Sequence, residues 1–498
     1  MRLQRLFQPH LNYRRLRSGI EELERNVRDR RIRDLDVHAV ATLHQQVAQS
    51  EFAVADLRKQ RNRIAADMSQ VVKDLAAAKS RKESSPSNVK DLEARRRDLA
   101  EQGKALKAAL QAKENDLAGL QARLFDEARH LPNDTHPSVP VGDESKAVTI
   151  ATIGSARVAT ADSPLRSHLE LAALHDMLDI ERAGKVSGSR FYYLKNAGAL
   201  LEQALVRYAS DICIRRGFTP VAVPDLIRHE VLEACGFSPR SDDPQTYYVS
   251  SALVTSSEAG GTSGAPRRDP MSLCLAATAE FPLAGMYAGE TLSELPVRMV
   301  GVGRAFRAEG LAGAVNRGLY RVHQFTKVEM FALARPSESM DIFDAFVGIQ
   351  REIFEGLELC FRILNMPTEE LGAPAFIKYD MEAWMPARNA WGEISSTSNC
   401  TDYQARRLNI RSFVQHRQQD SGLEAASATS SAEGSSTTEF VHTVNGTACA
   451  IPRVLIALLE THQHTDGSIG IPAKLRPYLF GPGVSMLPVG AKLTDLLQ

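Results

Sequence analysis

The 498-residue sequence lacks the paired cysteines of a zinc ribbon, a redox motif or a disulfide scaffold. Its 6 cysteines stand singly, which predicts reduced packing residues in an intracellular compartment. The sequence also lacks any uncharged apolar run near the roughly 18 residues that a membrane span needs, which predicts a soluble chain with no membrane partner. Apolar residues make up 43% and charged residues 24% of the composition, and these ordinary values predict a globular protein of two to three domains.

The sequence has no net charge, because 60 basic residues balance 60 acidic ones. The two signs of charge are unevenly distributed along the chain. The stretch from Arg58 to Lys113 holds fifteen Lys and Arg against seven Asp and Glu, and residues 1–20 hold five Arg and no acidic residue. A local excess of positive charge indicates contact with a nucleic acid or a membrane surface, although a solvated charged face has the same composition.

The acid-free residues 1–20 are typical of a leader that targets the mitochondrial matrix. The alternative is a basic first helix that begins near Asn12, since only some ten residues would precede it. We expect a leader-like segment over 1–20, a helical region over 21–131 and a larger mixed domain over 132–498.

Two long amphipathic helices are predicted over about 37–130, joined by a polar turn at 82–88. Leucines of the second helix recur at heptad spacing, and apolar residues of the first helix provide a matching seam. Two such helices should pair antiparallel, each about 65 Å long at 1.5 Å per residue. A basic hairpin of this length suits a long polyanionic partner, and a dimerisation coiled coil is the alternative.

A break at Leu131-Pro-Asn-Asp-Thr-His-Pro137 separates this hairpin from the larger domain. Two segments of that domain, 254–270 and 419–438, are rich in Ser, Gly and Ala. They hold too little apolar surface to order themselves, so we expect both to be mobile surface insertions.

The segment 319–331 alternates as a strand, and one of its faces carries Arg321, His323, Phe325, Lys327 and Glu329. Such a face is costly to bury unless its groups are paired or bind a ligand, and a solvent-facing sheet surface is the alternative. Glu393 and Ser396, expected on bent strand ends, could share a divalent cation through their oxygens. Arg453, near the start of a helix, suits an anion.

Together these segments resemble the signature motifs of class II aminoacyl-tRNA synthetases, and more closely those of the seryl-tRNA synthetase family in its mitochondrial form. Five blocks match in the family's order over about residues 37–480. They are Thr278-Ala-Glu280, Phe306-Arg-Ala-Glu309, the run from Arg317 to Glu329, Glu393-Ile-Ser-Ser396, and His442-Thr-Val-Asn-Gly-Thr447 ahead of Pro452-Arg453. The loop between Glu309 and Arg317 reads GLAGAVN, which departs from the more polar loop of bacterial members.

The resemblance implies an α+β fold. An N-terminal antiparallel two-helix coiled-coil arm should bind tRNA, which decides the question of the hairpin's partner. A class II catalytic domain should follow, with an antiparallel sheet flanked by helices. The helix and strand that end at Pro224 should build a homodimer interface, and a location in the mitochondrial matrix is favoured over the cytoplasm.

The resemblance further implies ATP-dependent ligation of L-serine to tRNA(Ser) through a seryl-adenylate, with Mg²⁺ as cofactor and ATP as a substrate. The implied catalytic residues are Arg307, Glu393 and Arg453. The implied serine-binding residues are Thr278, Ala279, Glu280, Arg307, Glu329, Asn445 and Thr447. The implied ATP-binding residues are Arg307, Ala308, Glu309, Val322, His323, Gln324, Phe325, Glu393, Ile394, Ser395, Ser396 and Arg453. Glu393 and Ser396 are the implied metal ligands, and the implied tRNA-binding residues are Arg95, Arg96, Arg97 and Arg317.

Two other functions compete with this one. A catalytically silent relative could keep the fold and bind RNA or a protein partner, although silent descendants usually lose an ATP or amino-acid contact and none is missing here. A class II ligase for another amino acid is disfavoured by the blocks at 278–280 and 445–447.

Overall fold

The structure is a computed structural model that describes residues 9–80, 86–160, 164–237, 245–249, 273–308, 318–414 and 437–496. The chain divides into two compact units, Leu11–Leu131 and a second unit of Met1–His10 with Pro132–Gln498. The insertion predicted at 254–270 lies outside the described residues. So does the insertion predicted at 419–438, except for its last two residues, where a strand begins at Thr438.

The first unit is helical. Its helices are α1 (Arg15–Ser18), α2 (Ile20–Asp29), α3 (Val37–Ser80) and α4 (Pro86–Ala128). The predicted coiled-coil arm is confirmed, because α3 and α4 run antiparallel and are joined by cross-helix contacts such as Arg58–Glu114 at 2.7 Å and Lys79–Glu93 at 2.7 Å. Proline favours the first position of a helix, which suits Pro86. Residues 82–85 of the turn predicted at 82–88 lie outside the described residues, and residues 86–88 belong to the first turn of α4.

The predicted heptad seam is buried in part. Its buried members are Val54, Val71, Leu75, Leu99, Leu110 and Leu124, and its other members are partly exposed. The end of the arm near α1 and α2 has a fuller core, in which Leu16, 6% exposed, packs with Leu23, Val40 and Leu124. Tyr13 stacks on His44 at 5.2 Å. Part of the leader-like segment thus contributes to the core of the arm.

The second unit is built on a large sheet and several short ones. Its strands are β1 (Val148–Ile153), β2 (Leu178–Asp179), β3 (Tyr193–Leu194), β4 (Thr219–Ala222), β5 (Leu226–Arg228), β6 (Tyr248–Val249), β7 (Leu273–Leu275), β8 (Thr291–Leu292), β9 (Val297–Phe306), β10 (Gln324–Ala334), β11 (Phe361–Asn365), β12 (Ile377–Met385), β13 (Ala390–Thr401), β14 (Arg411–Phe413), β15 (Thr438–Phe440), β16 (His442–Ala450), β17 (Ile469–Gly470) and β18 (Met486–Leu487). Its helices are α5 (His168–Leu174), α6 (Ile180–Ser187), α7 (Asn196–Arg215), α8 (His229–Ala234), α9 (Glu280–Gly285), α10 (Ser339–Gly356), α11 (Tyr403–Leu408), α12 (Ile451–His462), α13 (Arg476–Leu479) and α14 (Leu493–Leu496).

The large sheet has eight strands in the order β1-β11-β12-β13-β16-β10-β9-β4. All its pairs are antiparallel except β4 with β9, which confirms the predicted antiparallel sheet. Successive residues of a strand face opposite sides, so β10 divides its side chains between two cores. Val328 and Met330 pack with Phe346 of α10 in one core, and Phe331 and Leu333 lie in the other with residues of α8, α9 and α11.

Strand boundaries differ from the sequence prediction in two places. The strand predicted over 319–331 is β10, which begins at Gln324, so Arg321 and His323 lie ahead of it and Arg321 is exposed. Glu393 and Ser396 were expected on bent strand ends, but both lie inside the continuous strand β13. The difference arises because pairing with β12 extends β13 through this polar stretch, and pairing with β16 continues the strand from Thr397 onward.

The six cysteines are all buried and none is in a disulfide, as predicted. Within the described ranges, no helix combines the length and the apolar composition required to cross a membrane. Buried thiols act as small packing residues, and four of the six, Cys213, Cys235, Cys274 and Cys449, lie in the two cores of the second unit.

Candidate active site

A polar corner forms where β10 and β16 pair. Glu329 lies directly opposite Thr447, because the register of the two strands shifts between Val328 and Glu329 and leaves Ala448 as an extra residue. Both side chains are buried. A carboxylate and a hydroxyl on neighbouring strands can bind one small polar group between them.

Lys327 and Thr278 complete this corner. The Lys327 Nζ lies 2.6 Å from Glu329 Oε2 and donates a hydrogen bond of 3.0 Å to Thr278 Oγ1. Lys327 is 8% exposed and Glu329 is 1% exposed. A buried carboxylate of this kind is stable only when it is paired, so Lys327 makes the polar corner possible.

A second carboxylate, Glu280 at the start of α9, lies beside the corner. Its Oε1 accepts hydrogen bonds from Gln404 Nε2 at 2.6 Å and from Asn445 Nδ2 at 3.2 Å. Desolvation raises the pKa of Glu280 to about 7, and the charge of Glu329 adds to that rise while Gln404 and Lys327 oppose it. The predicted serine-binding residues Thr278, Glu280, Glu329, Asn445 and Thr447 therefore stand together on one side of the sheet, and Ala279 is buried between the first two.

A second cluster forms on β13. Glu393 pairs with Glu382 of β12, and Ser396 pairs with Asp380 of the same strand. Glu393 and Ser396 are three residues apart, whereas their partners are two residues apart. A register shift leaves Ile394 as an extra residue, and directly paired residues share a sheet face, so the bulge brings Glu393 and Ser396 to the same face. A regular strand would place them on opposite faces.

Arg453 of α12 holds Glu393. Its Nη1 lies 2.9 Å from Glu393 Oε2 and donates to the Glu393 carbonyl at 3.2 Å. Tyr320 supports both groups, because its hydroxyl accepts from the Glu393 N–H at 3.0 Å and its carbonyl accepts from Arg453 Nε at 3.3 Å. The Arg453 guanidinium also lies over the Tyr320 ring, 4.9 Å from its centroid.

The charge around Glu393 is strongly positive. Desolvation opposes ionisation of this carboxyl, but the charges of Arg453, Lys378 and Arg307 outweigh it and lower the pKa of Glu393 to about 2. The side chain is nevertheless 42% exposed, so its free edge is accessible to a ligand. An ionised carboxylate surrounded by three cations suits a polyanion together with a divalent cation.

Arg307 is fixed from both sides just after β9. Its N–H donates to the His323 carbonyl at 2.9 Å, and His323 Nδ1 donates to the Arg307 carbonyl at 2.9 Å. The Arg307 guanidinium lies 5.4 Å from the centroid of the Phe325 ring. The next residue, Ala308, donates its N–H to the Gln245 carbonyl at 3.1 Å. A cation beside an aromatic face can bind a phosphate and a base in one ligand.

Comparison with known proteins identifies the family. Residues 265–462 match the family model of the tRNA synthetase class II core domain (G, H, P, S and T). The serine–tRNA ligase of Rhodopirellula baltica is 40% identical over 451 residues, which are 89% of this chain and 92% of that one. The chain belongs to the serine–tRNA ligase family.

Two further members of the serine–tRNA ligase family extend the comparison. The mitochondrial serine–tRNA ligase of Mus musculus is 43% identical over 364 residues, 72% of this chain and 63% of its own length, so this chain spans less than two thirds of the mouse enzyme. The crystal structure of seryl-tRNA synthetase from Pyrococcus horikoshii complexed with ATP has a TM-score of 0.75 at 32% identity and covers 97% of this chain and 100% of that one. The predicted family and fold are confirmed.

The serine–tRNA ligase resemblance assigned Ile394 and Ser395 to ATP, but their side chains point away from the cluster of Arg307, Glu393 and Arg453. Ile394 lies in the core, and Ser395 Oγ donates to the Thr447 carbonyl. Val322 is buried, and Gln324 begins β10. We therefore expect contacts from Ile394 and Ser395 to ATP through their backbone. Glu309, which was assigned to ATP, lies outside the described residues. So do Arg317, which was assigned to tRNA, and the rest of the loop 310–317.

Sequence reasoning missed one residue that joins the two clusters of this ligase fold. Gln350 of α10 is buried and donates from Nε2 to the carbonyls of Ser396 and Thr447, both at 2.9 Å, while its Oε1 accepts from Thr397 Oγ1 at 2.7 Å. The signal available in the sequence was a single amide on the apolar face of an amphipathic helix. No role was predicted for Tyr320 or Gln404 either, since their partners are distant in sequence.

Magnesium, which the resemblance to this ligase family implies, fits the oxygens of Glu393 and Ser396. Mg²⁺ is usually held by one or two protein oxygens together with phosphates and water. In the part of the chain that the structure describes, no group of three or more His, Cys, Asp or Glu could hold a metal ion. The phosphates of a substrate would therefore have to supply the remaining ligands.

Proposed function

We propose that this chain ligates serine to tRNA through a seryl-adenylate, with both steps at the sheet face formed by β10, β13 and β16. One observation carries the proposal. The Glu329–Thr447 corner and the cluster of Arg307, Glu393 and Arg453 lie at neighbouring strands of one sheet, and Gln350 donates to the carbonyls of Ser396 and Thr447, one beside each group. ATP is accordingly proposed as the second substrate.

The first step joins the serine carboxylate to the α-phosphorus of ATP. A carboxylate oxygen attacks that phosphorus, the bond from the α-phosphorus to the bridging oxygen breaks, and pyrophosphate leaves with the electron pair. Because the nucleophile is already an anion, no proton has to be removed from it. The protein must bring two anions together and stabilise the charge that develops.

The residues of the positive cluster can each take one part of this task. Arg307, fixed by His323, would bind the α-phosphate and the serine carboxylate, and Phe325 would stack on adenine. Arg453 would bind the γ-phosphate, which requires it to share or leave its contact with Glu393. Glu309 remains assigned to the adenine amino group by resemblance alone.

Mg²⁺ would be bound by Glu393 and Ser396, where it would neutralise phosphate charge. The low pKa of Glu393 supports this assignment, because the carboxylate is ionised and ready to bind a cation at any working pH. Arg453 would then be released from Glu393 for phosphate.

Serine recognition would rest on the polar corner. Glu329 and Thr447 would bind the side-chain hydroxyl, and Thr278 and Glu280 would line the side of the amino group. A pocket that offers buried polar partners to a hydroxyl rejects alanine strongly, because alanine leaves those partners unsatisfied.

The arm would bind the body of tRNA(Ser) in the second step, in which the terminal adenosine of the tRNA attacks the adenylate. Arg95, Arg96 and Arg97 are all exposed on α4, which supports a contact with phosphates. Arg317 and the loop 310–317 would approach the acceptor end.

The oligomeric state and the location complete the proposal. A homodimer would form through α7 and β4, and β4 is an edge strand of the large sheet. Light scattering on the purified chain measures the mass directly. A mitochondrial location is supported by the mouse relative and by the basic N-terminus, although the bacterial relative is nearly as similar. Import of a fluorescent fusion tests it.

The decisive experiment is ATP–pyrophosphate exchange driven by serine, with alanine, threonine and cysteine for comparison. Exchange with serine alone supports the proposal. Arg307→Ala should abolish exchange and leave tRNA binding intact, whereas Arg304→Ala should preserve exchange, because Arg304 lies on β9 with its side chain half exposed. Absence of exchange with all four amino acids, in a folded chain that binds tRNA, would favour the silent relative instead.

A further inference from the structure

The second unit buries the ammonium of Lys327. It is nine-tenths buried on β10 and contacts two groups of the polar corner, Glu329 Oε2 at 2.6 Å and Thr278 Oγ1 at 3.0 Å. A buried lysine costs free energy unless its partners compensate it, and a well-packed apolar residue of similar volume is often as stable. Its presence here therefore calls for a role beyond packing.

Two carboxylates share the surroundings of Lys327. Glu329 is paired with it on the same strand, and Glu280 on α9 is close enough for its ionisation to respond to the charges of both. Like-charged carboxylates in one buried site resist simultaneous ionisation, so that one of them takes a proton unless a cation compensates. Lys327 is the cation that the structure places against Glu329.

We propose that Lys327 is a positioning residue that sets the specificity for serine by fixing the orientation of the Glu329 side chain. With Oε2 held by the ammonium, Oε1 of Glu329 would be left for the substrate. A carboxylate oxygen accepts hydrogen bonds, so the corner favours a substrate that donates a hydroxyl proton. This inference rests on the proposed serine ligase function.

The contact with Thr278 gives Lys327 a second positioning effect. Thr278 lies in the block assigned to the amino-group side of serine, two residues before Glu280. The same ammonium thus joins the strand that recognises the hydroxyl to the loop that lines the amino group. Loss of the charge should loosen both sides of the serine pocket and leave the nucleotide side unaltered.

The test compares Lys327→Met, which keeps the volume and removes the charge, with Lys327→Arg, which keeps the charge. Serine-driven pyrophosphate exchange with Lys327→Met should show a serine KM raised about 30-fold or more and a preference for serine over alanine reduced by a similar factor, with the KM for ATP within about threefold of wild type. Lys327→Arg should recover part of the preference.

A matched control is Lys378→Met, because Lys378 is a half-buried lysine that is likewise paired with a carboxylate of its own strand, Asp380, at 2.8 Å on β12. It lies beside Glu393, so its removal should alter the KM for ATP and leave the serine-to-alanine preference unchanged.

The inference is overturned if Lys327→Met keeps its serine KM and its preference for serine within about threefold of wild type, or if Lys327→Arg recovers none of the preference. A thermal unfolding measurement checks the fold of each variant. If Lys327→Met does not fold, Lys327→Gln provides the same test, since it can still donate to Thr278 without the charge. A wild-type chain with no serine-driven exchange would overturn the proposed function. A wild-type chain that shows exchange, together with an unaffected Lys327→Met variant, would overturn only the inference about Lys327.

Discussion

Glu329 of β10 lies directly opposite Thr447 of β16, and this pairing depends on the extra residue Ala448 between Thr447 and Cys449. Without the bulge the strands would pair one residue out of step, and Thr447 would face the other side of the sheet. The proposed serine pocket therefore depends on a local irregularity of the sheet as much as on the residues that line it.

Thr447→Val tests this pairing, because valine matches the shape of threonine and removes its hydroxyl. We expect the KM for serine to rise about 10- to 100-fold, the size of one lost buried hydrogen bond, with the KM for ATP unchanged. Steady-state pyrophosphate exchange measures both constants. Thr447→Ser keeps the hydroxyl and should stay near wild type. Equal losses in the two variants would show that packing rather than the hydroxyl accounts for the effect.

Glu393 gives a prediction about pH. Its pKa of about 2 in the folded chain lies below the ordinary 4.5, so folding favours the ionised form. The resulting stabilisation is fully present above pH 4.5 and is lost as the pH falls through the folded pKa. Since the side chain is 42% exposed, we expect about 1 kcal/mol at most.

The measurement compares thermal unfolding of wild type and Glu393→Gln between pH 5 and the lowest pH at which both remain folded. Glu393→Gln should unfold at a lower temperature at pH 5, and the gap should narrow steadily below pH 4.5. A gap that stays constant as the pH falls would contradict the assigned pKa of Glu393.

Much of the arm could be predicted from the sequence, because its contacts follow a local repeat. Leu99, Leu110 and Leu124 are seam leucines in the heptad pattern, and all three are buried as the pattern predicts. The strand ends were harder to predict. Gln324 rather than Leu319 begins β10, because pairing with β9 at Phe306 fixes the start of the strand.

The site itself could be predicted as a set of residues but not as a geometry. The bulges at Ile394 and Ala448 bring Glu393 to Ser396 and Glu329 to Thr447, yet a bulge depends on the register between strands that are distant in sequence. Gln350 was missed for the same reason, since its acceptors lie 46 and 97 residues further along the chain.

The N-terminal residues give a prediction about the arm. Leu16 is buried in the arm core, so a truncation that removes residues 1–18 should destabilise the arm, by about 2 to 5 kcal/mol for the lost leucine. Limited proteolysis and thermal unfolding compare the truncation with wild type, with Leu16→Ala as the point variant. An unchanged arm after removal of residues 1–18 would mean that Leu16 contributes nothing to its stability.

Reversal of Arg95, Arg96 and Arg97 to Glu tests the role of the arm. These exposed arginines should contact phosphates, so the triple variant should bind tRNA more weakly, with a slope of log affinity against log salt reduced by up to about three. Serine-driven pyrophosphate exchange without tRNA should be unchanged. A control variant reverses Arg25, Arg28 and Arg33, which are also exposed in the first unit and give the same change in charge. Equal losses from both triples would show that the net charge of the arm, rather than a contact at positions 95–97, determines binding.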